Sequence, residues 1–185
     1  SDDGTGVVFY KFVADVAGDL SSGTLYAAKI KQDGPAQADA ASTDLHISWI
    51  ELAHGTNEEI EGWVRSYDGI GLDDHAAGGT NYISDEEVAA WAAGDATDNR
   101  VAFLESRKAA IAKGATGEFR KMEGVNINLQ GAANGSVPYM YMAMSEISKT
   151  MSDGEGDIDV AENKCGVVYE MKLDANYNVG KMVPV

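Results

Sequence analysis

The sequence predicts a mostly β chain with a helical insertion, and three observations carry that expectation. Short runs rich in β-branched and aromatic residues recur toward both ends, separated by turn residues. Between them lies a stretch marked by helix-start and helix-stop signals instead of alternation. Hydrophobic residues occupy 44% of the 185 positions, enough for one packed core at this length. The expected organisation is strands over 1–55, a helical insertion over 56–114 and strands over 115–185, all in one incomplete domain.

The elements follow in order. Val7-Val8-Phe9-Tyr10-Lys11-Phe12-Val13 reads as a first strand, Gly18 to Gly23 as a turn cluster, and Thr24 to Lys31 as the return strand. Gly34 to Thr43 is a loop, and Leu45 to Leu52 a third strand. Thr56-Asn57-Glu58-Glu59 opens a short helix through Arg65, and Gly69 to Thr80 is a glycine-rich loop. Ser84-Asp85-Glu86-Glu87 has the spacing of a capping box, and the helix it starts should stop at Gly94. A further helix is expected from Asp98 to Lys113, with Val101, Leu104 and Ile111 as its apolar stripe. Strands return at Met122–Leu129, where Val125, Ile127 and Leu129 alternate, then at Tyr139–Met144 and Gly166–Leu173. This pattern suits a sandwich, a barrel or a propeller, and no internal repeat chooses among them. Ser1-Asp2-Asp3-Gly4 runs almost at once into a strand, and Asn178 to Val185 ends without a closing helix. Both ends therefore read as cut from a longer chain.

Charge narrows the partners. With 14 basic against 30 acidic residues the net charge is −16, which repels nucleic acid and anionic lipid and suits cations. The same acidity also serves solubility alone. No run approaches the roughly 18 apolar residues of a membrane-spanning helix. A single cysteine, Cys165, excludes an internal disulfide framework and a paired-cysteine zinc site. It reads as a small buried thiol at a strand start.

Candidate chemistry lies in two places. Asp153-Gly154-Glu155-Gly156-Asp157-Ile158-Asp159 alternates carboxylates with small residues, so Asp157 and Asp159 could curl around calcium. Ile158 and Lys164 break the EF-hand pattern, and a solvated acidic loop is the plainer reading. Glu123 follows Arg120-Lys121 at the mouth of a strand, placing a carboxylate beside cations as a phosphate site needs; an ordinary strand-end ion pair accounts for the same residues. Ser145-Glu146 forms a polar pair at another strand end. His46, expected on a strand face, His54, in a turn, and His75, in a loop, show no metal spacing, and no nucleophilic triad is visible.

Three stretches together resemble a family. Asp2-Asp3, Phe9-Tyr10-Lys11-Phe12-Val13 and Gly23-Thr24-Leu25-Tyr26-Ala27-Ala28-Lys29 look like the GDD…YKFV…GTLYVA segment of PhoX-type alkaline phosphatases. Gly114-Ala115-Thr116 through Lys121-Met122-Glu123-Gly124, followed by Met140 to Ser145, is similar to that family's RPEW…VY.TLTNN segment. Glu162 to Tyr169 resembles the NPxGxI stretch that follows. The resemblance implies part of a six-bladed β-propeller, from the C-terminal portion of a secreted or periplasmic enzyme. That enzyme would use calcium and iron to hydrolyse phosphate monoesters, and the rest of its own chain would close the propeller.

Position by position, the resemblance makes Glu123 a metal ligand and Lys121 the group that touches phosphate oxygens. Asp2, Asp3 and Asn163 become further ligands, and Glu146 joins them at the site of the family's paired asparagines. The chain departs from the pattern in three ways. Lysine replaces arginine, losing a bidentate fork; Ser145-Glu146 replaces the asparagines; and the upstream cysteine motif that ligates iron is absent, a role Cys165 does not inherit. The rival expectation is a non-enzymatic, calcium-stabilised secreted propeller that binds partners. A third is an esterase or lactonase propeller with one calcium.

Overall fold

The computed structural model describes residues 2–71, 73, 82–128 and 138–185. Strands β1 (Asp2–Val7), β2 (Tyr10–Val16), β3 (Asp19–Gln32) and β4 (Leu45–Thr56) come first. Helices α1 (Asn57–Arg65), α2 (Asp85–Ala93), α3 (Arg100–Leu104) and α4 (Ser106–Ala112) follow, then β5 (Phe119–Ile127), β6 (Tyr139–Met144), β7 (Val167–Lys172) and β8 (Lys181–Pro184). The protein is predominantly β, and its strands pair antiparallel. It forms two compact units, one of residues 1–9, 28–49 and 116–185, the other of residues 10–27 and 50–115.

In the first unit the strand order is β1-β5-β6-β7-β8, continued by the parts of β4 and β3 that belong to this unit. Cross-strand partners share a face, so the pairs Met140↔Met171, Met142↔Tyr169 and Met144↔Val167 define the inner surface. Phe119, Leu45, Ile147, Ile158 and Met182 complete a core from which solvent is excluded. All 7 methionines of the chain lie in this unit. Met140 is partly buried and the rest are buried, as unbranched thioethers fit irregular gaps between twisted strands.

Val125 and Ile127 do alternate, and register places them on the face of Met142 and Met140. They nevertheless stay 59% and 40% exposed. Here β1 pairs with β5 only between Phe119 and Met122, so among the described residues β6 alone flanks β5 beyond that point and its other edge has no strand beside it. Leu129, the third residue of the expected stripe, lies outside the described residues, as do His75 and the loop between β5 and β6.

The single strand expected at Val7–Val13 is two. Gly6 takes a left-handed backbone (φ 71°), Val8 is buried, and Phe9 offers its carbonyl to the Ala28 amide. The chain thus leaves β5 before Val8 and resumes as β2 at Tyr10. The broad turn expected at Gly18–Gly23 is a two-residue turn at Ala17-Gly18, with Gly18 at φ 83°.

In the second unit, Thr56 and Ser84 form the capping boxes of α1 and α2, and Gly94 closes α2 at φ 89°, as their spacing implies. The long helix expected over Asp98–Lys113 breaks at Glu105, whose backbone (φ −127°, ψ 45°) is not helical. Phe103 is held on one side of the break, stacked 6.0 Å from Trp63 and pressed against Gly55, where a Cβ would lie 2.6 Å from its ring. Beyond the break the buried residues are Ala109 and Ala110, while Ile111 points to solvent. A helix of small residues packs through its alanines, and the hydrophobicity of Ile111 misidentifies its face. His54, expected in a turn, lies within β4.

Candidate functional site

The first unit gathers most of the expected site residues where β1, β5 and the end of β6 meet. Register sets Asp2 beside Met122 and Thr5 beside Arg120. Between Met122↔Met144 and Gly124↔Ala143 the pairing slips by one residue, and Glu123 is the residue left over. Such a bulge re-aims a side chain at a strand end. Lys121, two residues earlier, has φ 54°, a conformation costly for a side chain with a Cβ and commonest where function constrains the backbone. Its carbonyl accepts the Ser145 amide at 3.2 Å, which ties the strained residue to the end of β6.

The charges here are layered. Arg120 is buried, donating from Nη1 to Thr5 Oγ1 at 2.6 Å and from Nη2 to Glu146 Oε2 at 3.0 Å. Its Nε is buried without a hydrogen-bond partner among the described residues. The Arg120 guanidinium holds the Glu146 carboxyl below the usual carboxylate range. Lys121 Nζ and Glu123 Oε1 stand 3.6 Å apart, both more accessible than Arg120. Glu123, Ser145, Cys165 and Val168 line a recess of about 430 Å³. Cys165 is exposed there, not buried as expected. The tight turn at Asn163–Gly166 explains this, because Asn163 Oδ1 accepts the Cys165 amide and turns the thiol outward.

Of the remaining expected ligands, Asn163 pairs through its backbone with Ile147, next to Glu146, but its side-chain oxygen serves the Cys165 amide. Asp157 and Asp159 lie elsewhere. Asp157 accepts from Thr116 and from Lys29 Nζ at 2.7 Å, and Asp159 accepts from Gln37 and the Gly154 amide. Glu118 fastens this loop, its carboxylate accepting the Asp157 and Ile158 amides at 2.7–3.0 Å. The acidic loop is therefore folded around its own hydrogen bonds, with its carboxylates turned to separate partners. Among the described residues no three His, Cys, Asp or Glu side chains converge as metal ligands. Glu123 fits as one oxygen donor, and a complete calcium cage of six to eight oxygens does not follow from the described set.

Sequence reasoning missed two features. In the sequence Arg120 is one of two adjacent cations before Glu123, and nothing there marks it as the buried member of the pair. In the second unit, Asp15, Ser22 and His54 meet: His54 Nε2 lies 2.8 Å from Asp15 Oδ2 and 3.4 Å from Ser22 Oγ, and Ser22 donates to the same carboxylate oxygen. Residues 39 positions apart carry no local signal of this contact. It is not a hydrolytic triad, because one imidazole nitrogen faces both partners and cannot relay a proton between them.

This cluster titrates in a definite direction. The Ser22 hydroxyl and then the His54 ring hold Asp15 low, and Asp15 holds His54 high. The Asp15 contribution to stability is present above about pH 3.9 and is lost as pH falls through its lowered native value. The His54 contribution is present below about pH 6.5 and is lost as pH rises through its raised native value. The contact is therefore complete between about pH 4 and 6.5. Proton NMR of the imidazole should give a midpoint above the ordinary histidine value, returning toward it in Asp15→Asn; an unmoved midpoint would refute the contact.

No protein-family model, curated protein or solved structure matches this chain.

Proposed function

We propose that the strand-end cluster of Lys121, Glu123, Arg120 and Glu146 is one wall of a phosphate monoester hydrolase site of the PhoX type. The observation that carries this reading is the bulge at Glu123. It sets the Glu123 carboxylate on the wall of a recess, with the Lys121 ammonium group 3.6 Å from it, in a backbone already strained at Lys121. Lys121 would take a phosphate oxygen as a point charge. Arg120 acts through Glu146, fixing the end of β6 against β5 so that the recess keeps its shape. Calcium, with iron as the second metal that the resemblance implies, would be held by Glu123 together with Asp2 and Asp3, and the rest of the parent chain would complete the ligand set. Bound metal supplies charge neutralisation to the phosphate oxygens.

The four-stranded meander β5-β6-β7-β8 has the strand order of a propeller blade, which supports reading the chain as part of a six-bladed propeller. A periplasmic or extracellular location belongs to the same proposal. The rival, a calcium-stabilised binding propeller without catalysis, is favoured by one observation: Lys121 already has Glu123 as a partner.

The test is release of inorganic phosphate from an aryl phosphate by the whole protein reconstituted with calcium and iron. The expected result is turnover that falls about 100-fold or more in Glu123→Gln and Lys121→Ala. Metal uptake without turnover would establish the rival, and neither uptake nor turnover would remove both.

A further inference from the structure

We propose that two copies of this chain pair through their β2 strands, in antiparallel register centred on Val13. Strand β2 ends the strand order of the sheet, so one of its edges has no strand beside it among the described residues. Phe9 gives its carbonyl to the Ala28 amide, and the register then runs unbroken from Tyr10↔Ala27 to Ala14↔Gly23. Backbone groups alternate in direction along an antiparallel strand. Lys11 and Val13 therefore face β3, whereas Phe12 and Ala14 present their amides and carbonyls outward. The side chains along this edge are unusually apolar for an exposed strand: Phe12, Val13 and Val16 are 39%, 45% and 63% exposed. An open apolar edge is a template for another strand.

Charge selects the occupant. Pairing β2 with itself about Val13 sets Phe12 opposite Ala14 of the second copy, so the outward amides and carbonyls of those residues meet as hydrogen-bonded pairs. The same register sets Lys11 opposite Asp15 twice, once on each side of the two-fold axis. Each copy carries a net charge of −16, so association has to be favoured locally, and this register does so by matching each cation to an anion. Lys11 already leans along this face, with Nζ 4.6 Å from the centre of the Tyr26 ring. The pairing of β2 with β3 is regular through Ala14 and breaks between Ala14 and Val16, so the regular stretch of the strand ends at Ala14.

Sedimentation equilibrium of the full chain, run in reducing buffer at physiological ionic strength, tests this. The expected result is a concentration-dependent dimer. Lys11→Glu should weaken it about tenfold by placing like charges opposite each other twice. Ala14→Pro removes an outward amide that the monomer does not use and should abolish association while leaving the circular dichroism spectrum unchanged. A monomer at every concentration overturns the proposal. So does a dimer indifferent to the charge reversal, or one that survives Ala14→Pro. A dimer seen only without reductant joins through Cys165 and overturns it equally.

Discussion

Gly166→Ala is expected to destabilise the first unit by about 3 kcal/mol or more. Gly166 has φ 73°, where a Cβ meets its own backbone, and the added atom would also lie 2.0 Å from the Met144 carbonyl oxygen and 2.7 Å from the Ser145 carbonyl carbon. Both are main-chain atoms of β6 and the residue that follows it, so no side chain can rotate away. Either the Asn163–Gly166 turn or the end of β6 must move, and with it the recess that Glu123 and Ser145 line. Gly154→Ala is the control. Gly154 is also left-handed, at φ 82°, but nothing lies within 4 Å of an added Cβ. It should lose only the backbone cost of about 1 kcal/mol. Equal losses in denaturant unfolding of the two variants would show that the contact with β6 contributes nothing.

Arg120→Ala should cost about 3 kcal/mol, while Lys121→Ala should cost under about 1 kcal/mol, although the two cations are adjacent in sequence. The Arg120 side chain is 10% exposed and holds both Thr5 and Glu146. Its removal leaves a cavity and takes from the Glu146 carboxylate its hydrogen-bonded counter-charge. Lys121 makes a looser pair with Glu123 at 3.6 Å, in contact with water. Replacing Arg120 and Glu146 together with methionine and leucine should recover part of the loss, since the cost lies in the stranded partner more than in the absent pair. Thermal unfolding of the three variants decides this, and an Arg120→Ala loss no larger than that of Lys121→Ala would refute the buried reading of Arg120.

The architecture was legible where the physics is local. Capping boxes at Thr56 and Ser84 and a left-handed glycine at Gly94 act within one turn of chain, so their spacing gave the starts of α1 and α2 and the end of α2. The division into strands and helices followed from period and turn residues for the same reason. What escaped depended on neighbours distant in sequence. The break at Glu105 answers to Phe103 lying on Gly55 and Trp63, and the exposure of Val125 answers to where β1 stops pairing. In the site, the alternation of Lys121 and Glu123 was visible, but the bulge at Glu123, which lines a recess, is a property of pairing with β6. For Asp157 and Asp159 the sequence allowed either a metal-binding or a solvated acidic loop, because composition records how many carboxylates a loop has and not where each one turns.

The sulfur-rich interior of the first unit has a chemical consequence. A peroxide molecule reaches a thioether only where solvent does, and in the native state most of these sulfurs are sealed beneath the sheet. Sulfoxide formation there would place a polar group in a dry interior and prevent the strands from closing again. Chemical damage to this protein would thus register each opening of the unit, and would accumulate irreversibly without a reductase.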